Sequence, residues 1–163
     1  MRKRKPERCE GCPWFEAPGP VVLRGEEVTG EGPEGARLAF VAEAPGAEEL
    51  ARNANLVGPA GRVFELVLKL AGVDRKACWV ANTVRCVVLG GSEGPKPPLE
   101  VVEFCTERWL WPELERIKPN VVVALGEVAF RALTRETRKF EVARWRGALK
   151  ECAQFVGKKP GVL

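Results

Sequence analysis

The sequence of 163 residues contains neither histidine nor tyrosine. The absence of histidine removes the most common general acid and base, and it excludes every zinc site built from cysteine and histidine together. No apolar run approaches the roughly 20 residues that a membrane-spanning helix needs. The basic residues 2–5 lead into no apolar segment, so they do not form a secretory signal. We therefore expect a cytoplasmic protein whose chemistry comes from carboxylates, amides, backbone dipoles or a cofactor.

Length and net charge leave a broad range of functions open. A chain of this length is most simply one domain, here residues 1–163, with room for a sizeable core. The formal net charge of +4 suits a polyanionic partner such as nucleic acid, but it suits an ordinary, slightly basic surface equally well. Charge alone therefore does not choose between these two interpretations.

Four of the six cysteines are divided between distant parts of the chain. Cys9 and Cys12 form a C-x-x-C pair, while Cys86 and Cys105 lie singly far downstream. In a reducing compartment such cysteines bind metals or act in catalysis more often than they form disulfides. Four thiolates suit either a tetrahedral zinc ion or an iron–sulfur cluster, and ligand chemistry does not decide between the two. The pattern predicts a metal centre that joins the start of the chain to its middle.

Apolar periodicity predicts an α/β fold with a mostly parallel sheet. Three nearly continuous apolar runs are typical of buried strands: 37–42, 78–84 and 121–125. Three helical patterns lie between and after them: 60–71, 99–117 and 126–133. The apolar face of the first helix is expected to comprise Val63, Phe64, Val67, Leu70 and Ala71. Alternation of strands and helices in this order favours parallel pairing of the strands.

The carboxyl ends of the predicted strands should lie together at one edge of the sheet. In open α/β sheets the ligand crevice lies beyond these ends. Three segments would meet there: 43–49, 82–86 and 126–128. We expect the chemistry of the protein at this edge.

Several short motifs occur in an order that resembles a known family. They are Glu43-Ala-Pro-Gly46 after the first strand, Gly58-Pro-Ala-Gly61 opening a helix, Asn82 in the second strand, and Val121-Val-Val-Ala-Leu-Gly126. Together with the divided cysteines, this order resembles the iron–sulfur uracil-DNA glycosylases, often called family 4. The resemblance implies a three-layer α/β/α fold with a central, mostly parallel, four-stranded sheet. It also implies a DNA repair enzyme that hydrolyses the N-glycosidic bond of uracil in DNA and leaves an abasic site.

The resemblance implies a [4Fe–4S] cluster with a mainly structural role, and zinc is the second choice for the same site. The implied ligands are Cys9, Cys12, Cys86 and Cys105. Cys78 and Cys152 have no counterpart in the family and are expected to be small buried hydrophobic residues. Asn82 corresponds to the family's uracil-reading asparagine. Its carboxamide can accept a hydrogen bond from uracil N3–H and donate to O4, whereas cytosine reverses that pattern.

The loop after the first strand matches the family's water-activating motif. Backbone N–H groups of the loop, including those of Ala44 and Gly46, would bind uracil O2 and stabilise the negative charge on the departing base. The resemblance implies that Glu43 and Glu49 are catalytic. Glu43 lies in the motif itself, and Glu49 matches a carboxylate that would position the hydrolytic water or stabilise the cationic sugar. Leu56 would contact the extruded base.

Three features depart from the family pattern. Leu50 stands where an aspartate usually follows the glutamate, and Leu56 stands where a phenylalanine generally stacks on the base. The chain stops after residues 158–163, where the family continues into a histidine-containing motif and a DNA-opening wedge. We therefore expect a C-terminally short domain with weak or no turnover.

Two other functions are compatible with these departures. One is a non-catalytic iron–sulfur module that binds DNA or a partner protein, and the other is an iron–sulfur redox carrier. If the chain is an enzyme, uracil in single-stranded DNA should be the easier substrate, because extruding an unpaired base costs less free energy. We expect the protein to be a monomer.

Overall fold

The computed structural model describes residues 7–16, 22–88, 96–136, 147, 150–151 and 161–162. Its strands are β1 Val22–Glu27, β2 Leu38–Ala42, β3 Cys78–Asn82, β4 Cys86–Val88, β5 Val121–Ala124, β6 Lys150–Glu151 and β7 Gly161–Val162. Its α-helices are α1 Pro13–Glu16, α2 Ala47–Arg52, α3 Pro59–Leu70, α4 Leu99–Cys105, α5 Trp111–Ile117 and α6 Glu127–Thr134. Residues 2–5 and Cys152 lie outside the described residues.

The main sheet has the strand order β3-β2-β5-β7-β6. Neighbouring strands are parallel from β3 to β7, and β6 pairs antiparallel with β7. The α/β class is therefore confirmed. The prediction of four strands is not met, because the sheet has five strands among the described residues. Three strands of four or five residues lie side by side, and two strands of two residues follow at one edge.

A second, two-stranded sheet pairs β1 with β4 in antiparallel orientation. The sequence patterns did not reveal it, because β1 contains Gly25 and three charged residues instead of an apolar run. Cys86 is the first residue of β4, so this small sheet positions one of the candidate metal ligands. The strand predicted at 78–84 accordingly ends at Asn82.

Side chains from alternate positions of the strands enter two separate cores. Ala39 and Val41 belong to a core with residues of α5 and α6, whereas Phe40 and Ala42 belong to a core with residues of α3. Successive side chains of a strand point to opposite faces of its sheet, so helices cover both faces. The predicted three-layer arrangement is confirmed.

Helix α3 forms where predicted but buries a different face. Phe64 and Leu68 are 7% and 3% exposed, so the prediction is confirmed for Phe64. The prediction was wrong for the other members of the proposed face, which are exposed: Val63, Val67, Leu70 and Ala71. Apolar side chains occupy more than half of the helix circumference, so periodicity alone does not say which part meets the sheet.

The helix predicted at 99–117 is confirmed as a continuous stretch composed of α4, a π-helical segment Thr106–Leu110 and α5. Pro112 lies at the start of α5 and has no N–H to donate to the preceding turn. The wider π-helical turn directly before Pro112 accommodates that missing hydrogen bond. Cys105 is the last residue of α4, immediately before this turn. Within the described part of the chain, none of the helices has both the length and the apolar character needed to traverse a membrane.

Candidate functional site

The carboxyl ends of β2, β3 and β5 lie together, as predicted. The strand register pairs Ala42 with Asn82 and Val41 with Ala124. Thr83 donates to Ala42 O through its backbone N at 2.8 Å and through Oγ1 at 2.9 Å. The loops that follow β2 and β3 are therefore fixed against each other.

Glu49, in the first turn of α2, binds backbone amides of two loops and is only 8% exposed. Its Oε2 accepts from Gly46 N at 3.1 Å, and its Oε1 accepts from Val57 N at 2.9 Å and from Gly58 N at 2.7 Å. Burial acts to raise the pKa of Glu49, but hydrogen bonds from Gly58, Glu49 itself, Val57 and Gly46 outweigh burial and lower the pKa below its ordinary value of 4.5. Glu49 thus joins the loop after β2 to the loop before α3 as an ionised carboxylate.

Glu43 and Ala44 follow β2 directly. Glu43 is half-buried, and its carbonyl oxygen accepts from Val84 N at 3.0 Å. Among the described residues, neither the Glu43 carboxylate nor Ala44 N has a hydrogen-bond partner. Ala44 and Val128 pack against a buried cluster that includes Val84 and Cys105. All three predicted segments therefore meet at this edge of the sheet.

Asn82 lies at the end of β3 and binds a second buried asparagine. Asn82 Nδ2 donates to Asn55 Oδ1 at 2.7 Å, and the two residues are 1% and 0% exposed. Asn55 Nδ2 in turn donates to Thr29 O at 2.7 Å. Sequence reasoning missed Asn55, because the mainly polar segment from Arg52 to Asn55 is typical of a solvated loop. Only its complete burial distinguishes it.

Arg75 holds the backbone around Asn55. Its guanidinium donates to Asn55 O and, at 3.2 Å, to Leu56 O. It also forms ion pairs with Glu31 and Glu65, each at 3.0 Å. The backbone of the Asn55–Leu56 segment is therefore held by a cation.

Leu56 has a backbone conformation that is unusual for its residue type. Its φ is +46°, in the left-handed region, and its side chain is 9% exposed in a core that includes Phe40 and Phe64. Gly61 permits this arrangement, because a Cβ there would overlap the Leu56 carbonyl group. A branched side chain at positive φ stores conformational strain, which structures tend to retain at functional sites.

The structure brings the four predicted cysteine ligands near one another. Cys9, Cys12 and Cys105 are buried, and Cys86 is partly buried. Burial, followed by the neighbouring thiols of Cys105, Cys9 and Cys12, raises the pKa of Cys86 to about 12. Burial likewise raises the pKa of Cys105 to about 12, and the charges of Cys9 and Cys12 add to this effect. Cys78 is 2% exposed in the core, as predicted for a small hydrophobic residue.

The donor set of this site is sulfur alone. Within the described residues, no group of three or more Cys, Asp or Glu side chains is arranged to hold a metal ion. The four thiols are nevertheless near enough for their charges to interact. Four thiolates are the usual ligands of an iron–sulfur cluster, so these residues fit such a group.

A buried arginine, Arg85, lies in the chain between Asn82 and Cys86. Arg85 is 1% exposed, forms an ion pair with Glu113 and donates to Val28 O at 3.3 Å. The backbone N–H of Arg85 also binds Cys105 and acts to lower its pKa, against the larger effect of burial. Sequence reasoning missed Arg85, because an arginine that follows the end of a strand is ordinarily exposed. Asn82, Arg85 and Cys86 thus lie in one short segment of the chain, and Arg85 contacts the cysteine site.

Comparison with known proteins identifies the family. The model of the uracil DNA glycosylase superfamily matches residues 29–160. A type-4 uracil-DNA glycosylase of Archaeoglobus fulgidus is 33% identical over 140 residues, which cover 78% of this chain and 68% of that protein. The type-4 enzyme of Thermotoga maritima is 28% identical, covering 86% and 68%, and that of Saccharolobus solfataricus is 27% identical, covering 73% and 51%. The chain therefore belongs to the uracil DNA glycosylase superfamily, and its similarity to type-4 members confirms the resemblance seen in its motifs.

Proposed function

We propose that this protein is a DNA repair glycosylase that hydrolyses the N-glycosidic bond of uracil in DNA and leaves an abasic site. The observation that carries the proposal is the buried Asn82 carboxamide, held at the carboxyl edge of the sheet in a chain of this superfamily. A buried amide discriminates strongly between bases, because a mismatched edge leaves buried groups without hydrogen bonds at a cost of about 1–3 kcal/mol each.

Base recognition would use both polar atoms of Asn82. Its Oδ1 has no hydrogen-bond partner among the described residues and would accept from uracil N3–H. The N–H group of Nδ2 that does not bind Asn55 would donate to uracil O4. Leu56 would supply an apolar contact to the base from the loop before α3.

Bond cleavage would draw on the loop after β2. As the bond between the sugar C1′ and uracil N1 breaks, its electron pair passes to the base, and the backbone N–H of Ala44 would stabilise the charge on O2. The Gly46 N–H already donates to Glu49 and would assist only by sharing that hydrogen. A water then attacks C1′ and loses a proton to a carboxylate. Glu43 suits this step because its carboxylate has no partner among the described residues, whereas both Glu49 oxygens accept from amides.

We further propose that Cys9, Cys12, Cys86 and Cys105 hold a [4Fe–4S] cluster, which would supply a rigid covalent connection between the chain segments and no step of the hydrolysis. Support comes from the sulfur-only donor set and the mutual influence of the thiols. Zinc is the second choice for the same four thiolates, and the similarity to type-4 uracil-DNA glycosylases favours the cluster.

The remaining elements of the proposal concern partners and setting. Uracil in single-stranded DNA should be the better substrate, because an unpaired base is extruded at lower cost. We propose that residues 1–163 act as one domain and as a monomer. A cytoplasmic location suits the proposal, because thiolate ligands require reduced cysteines.

A strand-scission assay tests the proposed activity. The cluster-loaded protein is incubated with single-stranded DNA that carries one uracil, and abasic sites are then cleaved with alkali. We expect scission at the uracil position that falls at least a hundredfold in Asn82→Ala. Asn120→Ala, which changes an exposed asparagine at the opposite end of the sheet, should keep the wild-type rate.

Two outcomes would oppose the proposal in different ways. Uracil-dependent binding without scission at high protein concentration would indicate a non-catalytic module. Scission that persists in Asn82→Ala would show that uracil is read by another residue.

A further inference from the structure

We propose that Asn55 fixes the orientation of the Asn82 carboxamide and thereby makes the site select uracil over cytosine. The inference rests on the proposed function of Asn82 as the residue that reads the base. Asn55 is a positioning residue in this scheme, because it acts on the base through Asn82.

The polarity of the two amides follows from one backbone carbonyl. Thr29 O can only accept a hydrogen bond, so the Asn55 side-chain atom that lies 2.7 Å from it must be the nitrogen. Asn55 Oδ1 then faces Asn82 and can only accept, so the Asn82 atom 2.7 Å away must also be the nitrogen. Rotation of the Asn82 carboxamide by 180° would place its Oδ1 against Asn55 Oδ1, and both of these buried oxygens are acceptors.

This polarity matches uracil and opposes cytosine. With Nδ2 held by Asn55, Asn82 offers Oδ1 and one N–H to a base. Uracil presents a donor at N3 and an acceptor at O4, which complement that pair of atoms. Cytosine presents an acceptor at N3 and a donor at N4, so it is complementary to the reversed amide alone. An asparagine free to rotate by 180° would accept either base.

Asn55 itself is held by burial of its side chain and by hydrogen bonds to its backbone N–H and C=O groups. Its side chain is completely buried, and its backbone N donates to Glu31 Oε1 at 3.0 Å. Its backbone O accepts from Arg75, which is in turn paired with Glu31 and Glu65. The reference orientation of Asn82 is therefore anchored by contacts that lie outside the proposed pocket.

The test compares binding of two single-stranded oligonucleotides that differ at one base. One carries 2′-fluoro-2′-deoxyuridine and the other 2′-fluoro-2′-deoxycytidine, because the fluorine makes both glycosidic bonds resist hydrolysis. The readout is the ratio of the two dissociation constants, in which contacts to the DNA backbone cancel. In Asn55→Leu, which removes the lock at similar volume, we expect the preference for uracil to fall at least tenfold.

Three controls separate positioning from general damage. Asn55→Asp, whose buried acid can donate to Thr29 O and accept from Asn82, should keep the preference within about threefold. Asn120→Leu makes the same chemical change at an exposed position and should leave the ratio unchanged. In an Asn82→Ala background, Asn55→Leu should have no further effect on the ratio, because the two residues act as one unit.

The outcomes also separate this inference from the proposed function. If the wild-type protein prefers uracil and Asn55→Leu retains that preference, the inference is wrong and the proposed function stands. A further loss of preference on adding Asn55→Leu to Asn82→Ala would likewise overturn it. If the wild-type protein shows neither preference nor strand scission, the proposed function fails and the inference fails with it. Thermal unfolding of each variant verifies that the ratios refer to folded protein.

Discussion

At the scale of single residues, the Glu49 carboxylate holds two loops together through hydrogen bonds. A carboxylate at this position of a helix can bind the amide at the helix start, and Glu49 does so at Gly46. Its other oxygen extends the same interaction to Val57 and Gly58, which precede a different helix. The glycine at 58 leaves room for this, because a Cβ there would lie 3.0 Å from Oε1. The carboxylate therefore fixes two loops beside the proposed base site, whether or not it also contacts the sugar.

Glu49→Gln should destabilise the protein in a pH-dependent manner. A glutamine places a donor opposite one of the amides, so we expect a loss of about 2 kcal/mol in the free energy of unfolding at pH 7. The pKa of Glu49 is lowered in the folded state, so the unfolded state binds more protons near the ordinary value of 4.5. The stabilisation is complete above that pH and is lost as pH falls through the folded-state pKa. Urea unfolding of both proteins between pH 7 and pH 3 should show the difference shrinking.

The matched control for this prediction is Glu48→Gln. Glu48 precedes Glu49 in α2 but pairs only with exposed arginines, at 3.4 and 3.8 Å. Exposed pairs contribute at most about 1 kcal/mol, so this variant should resemble the wild type at every pH. A Glu49→Gln deficit that stays constant down to pH 3 would contradict the assigned charge state.

Leu56→Phe should strengthen binding of uracil. Leucine offers the base an apolar contact without aromatic stacking, which contributes about 1–3 kcal/mol per base. We expect the dissociation constant for the uncleavable uracil oligonucleotide to fall roughly tenfold. Leu99→Phe, at a 58% exposed position of α4, serves as the control. Unchanged affinity in a normally folded Leu56→Phe protein would show that this side chain does not meet the base.

At the scale of elements, helix α3 separates a face that stabilises the fold from one that does not. Phe64 packs edge-to-face on Phe40 with 4.8 Å between ring centroids, and Arg75 lies over its ring. Phe64→Ala should therefore cost about 3–5 kcal/mol of unfolding free energy. Leu70→Ala, at a 79% exposed position on the same helix, should change it by less than about 0.5 kcal/mol. Equal losses in urea unfolding would show that Leu70 is covered in solution.

Local sequence patterns predicted the elements better than their packing. The run 121–125 and the helix 99–117 follow from short-range periodicity, and the meeting of three strand ends follows from parallel pairing of the strands; all were confirmed. Asn55 and Arg85 were missed because their importance comes from burial by distant partners, Thr29 for one and Glu113 for the other. The buried face of α3 was misassigned for the same reason, since the sheet selects one part of a wide apolar arc. Periodicity shows which side chains could be buried, and tertiary contacts determine which of them are buried.

At the scale of the whole molecule, the cysteine site connects three parts of the chain. Cys9 and Cys12 belong to the segment 7–16, Cys86 begins β4, and Cys105 ends α4. Helix α1 contacts α4 and β1, and Trp14 packs against the cluster that contains Cys105 and Val84. The same cluster includes Ala44, next to the proposed base site. We therefore expect a change at the cysteines to reach the proposed base site through these packed side chains and through the short segment from Asn82 to Cys86.

Loss of the proposed cluster should loosen this region while the main sheet stays folded. The cores on the two faces of the sheet contain none of the four proposed ligands, so chelation of iron should leave far-ultraviolet circular dichroism nearly unchanged. Hydrogen exchange should rise in 7–16 and 82–88 and remain slow in β2 and β5, because only the former segments carry or adjoin ligands. The preference for uracil over cytosine should also fall when iron is removed.

Cys86→Ser should reproduce these changes and lose iron. Cys78→Ser, which can still donate to Asp74 O, should keep both the iron and the preference for uracil. Iron retained at the wild-type level in Cys86→Ser would remove that residue from the ligand set, and unchanged exchange in 82–88 after chelation would separate the cysteine site from base recognition.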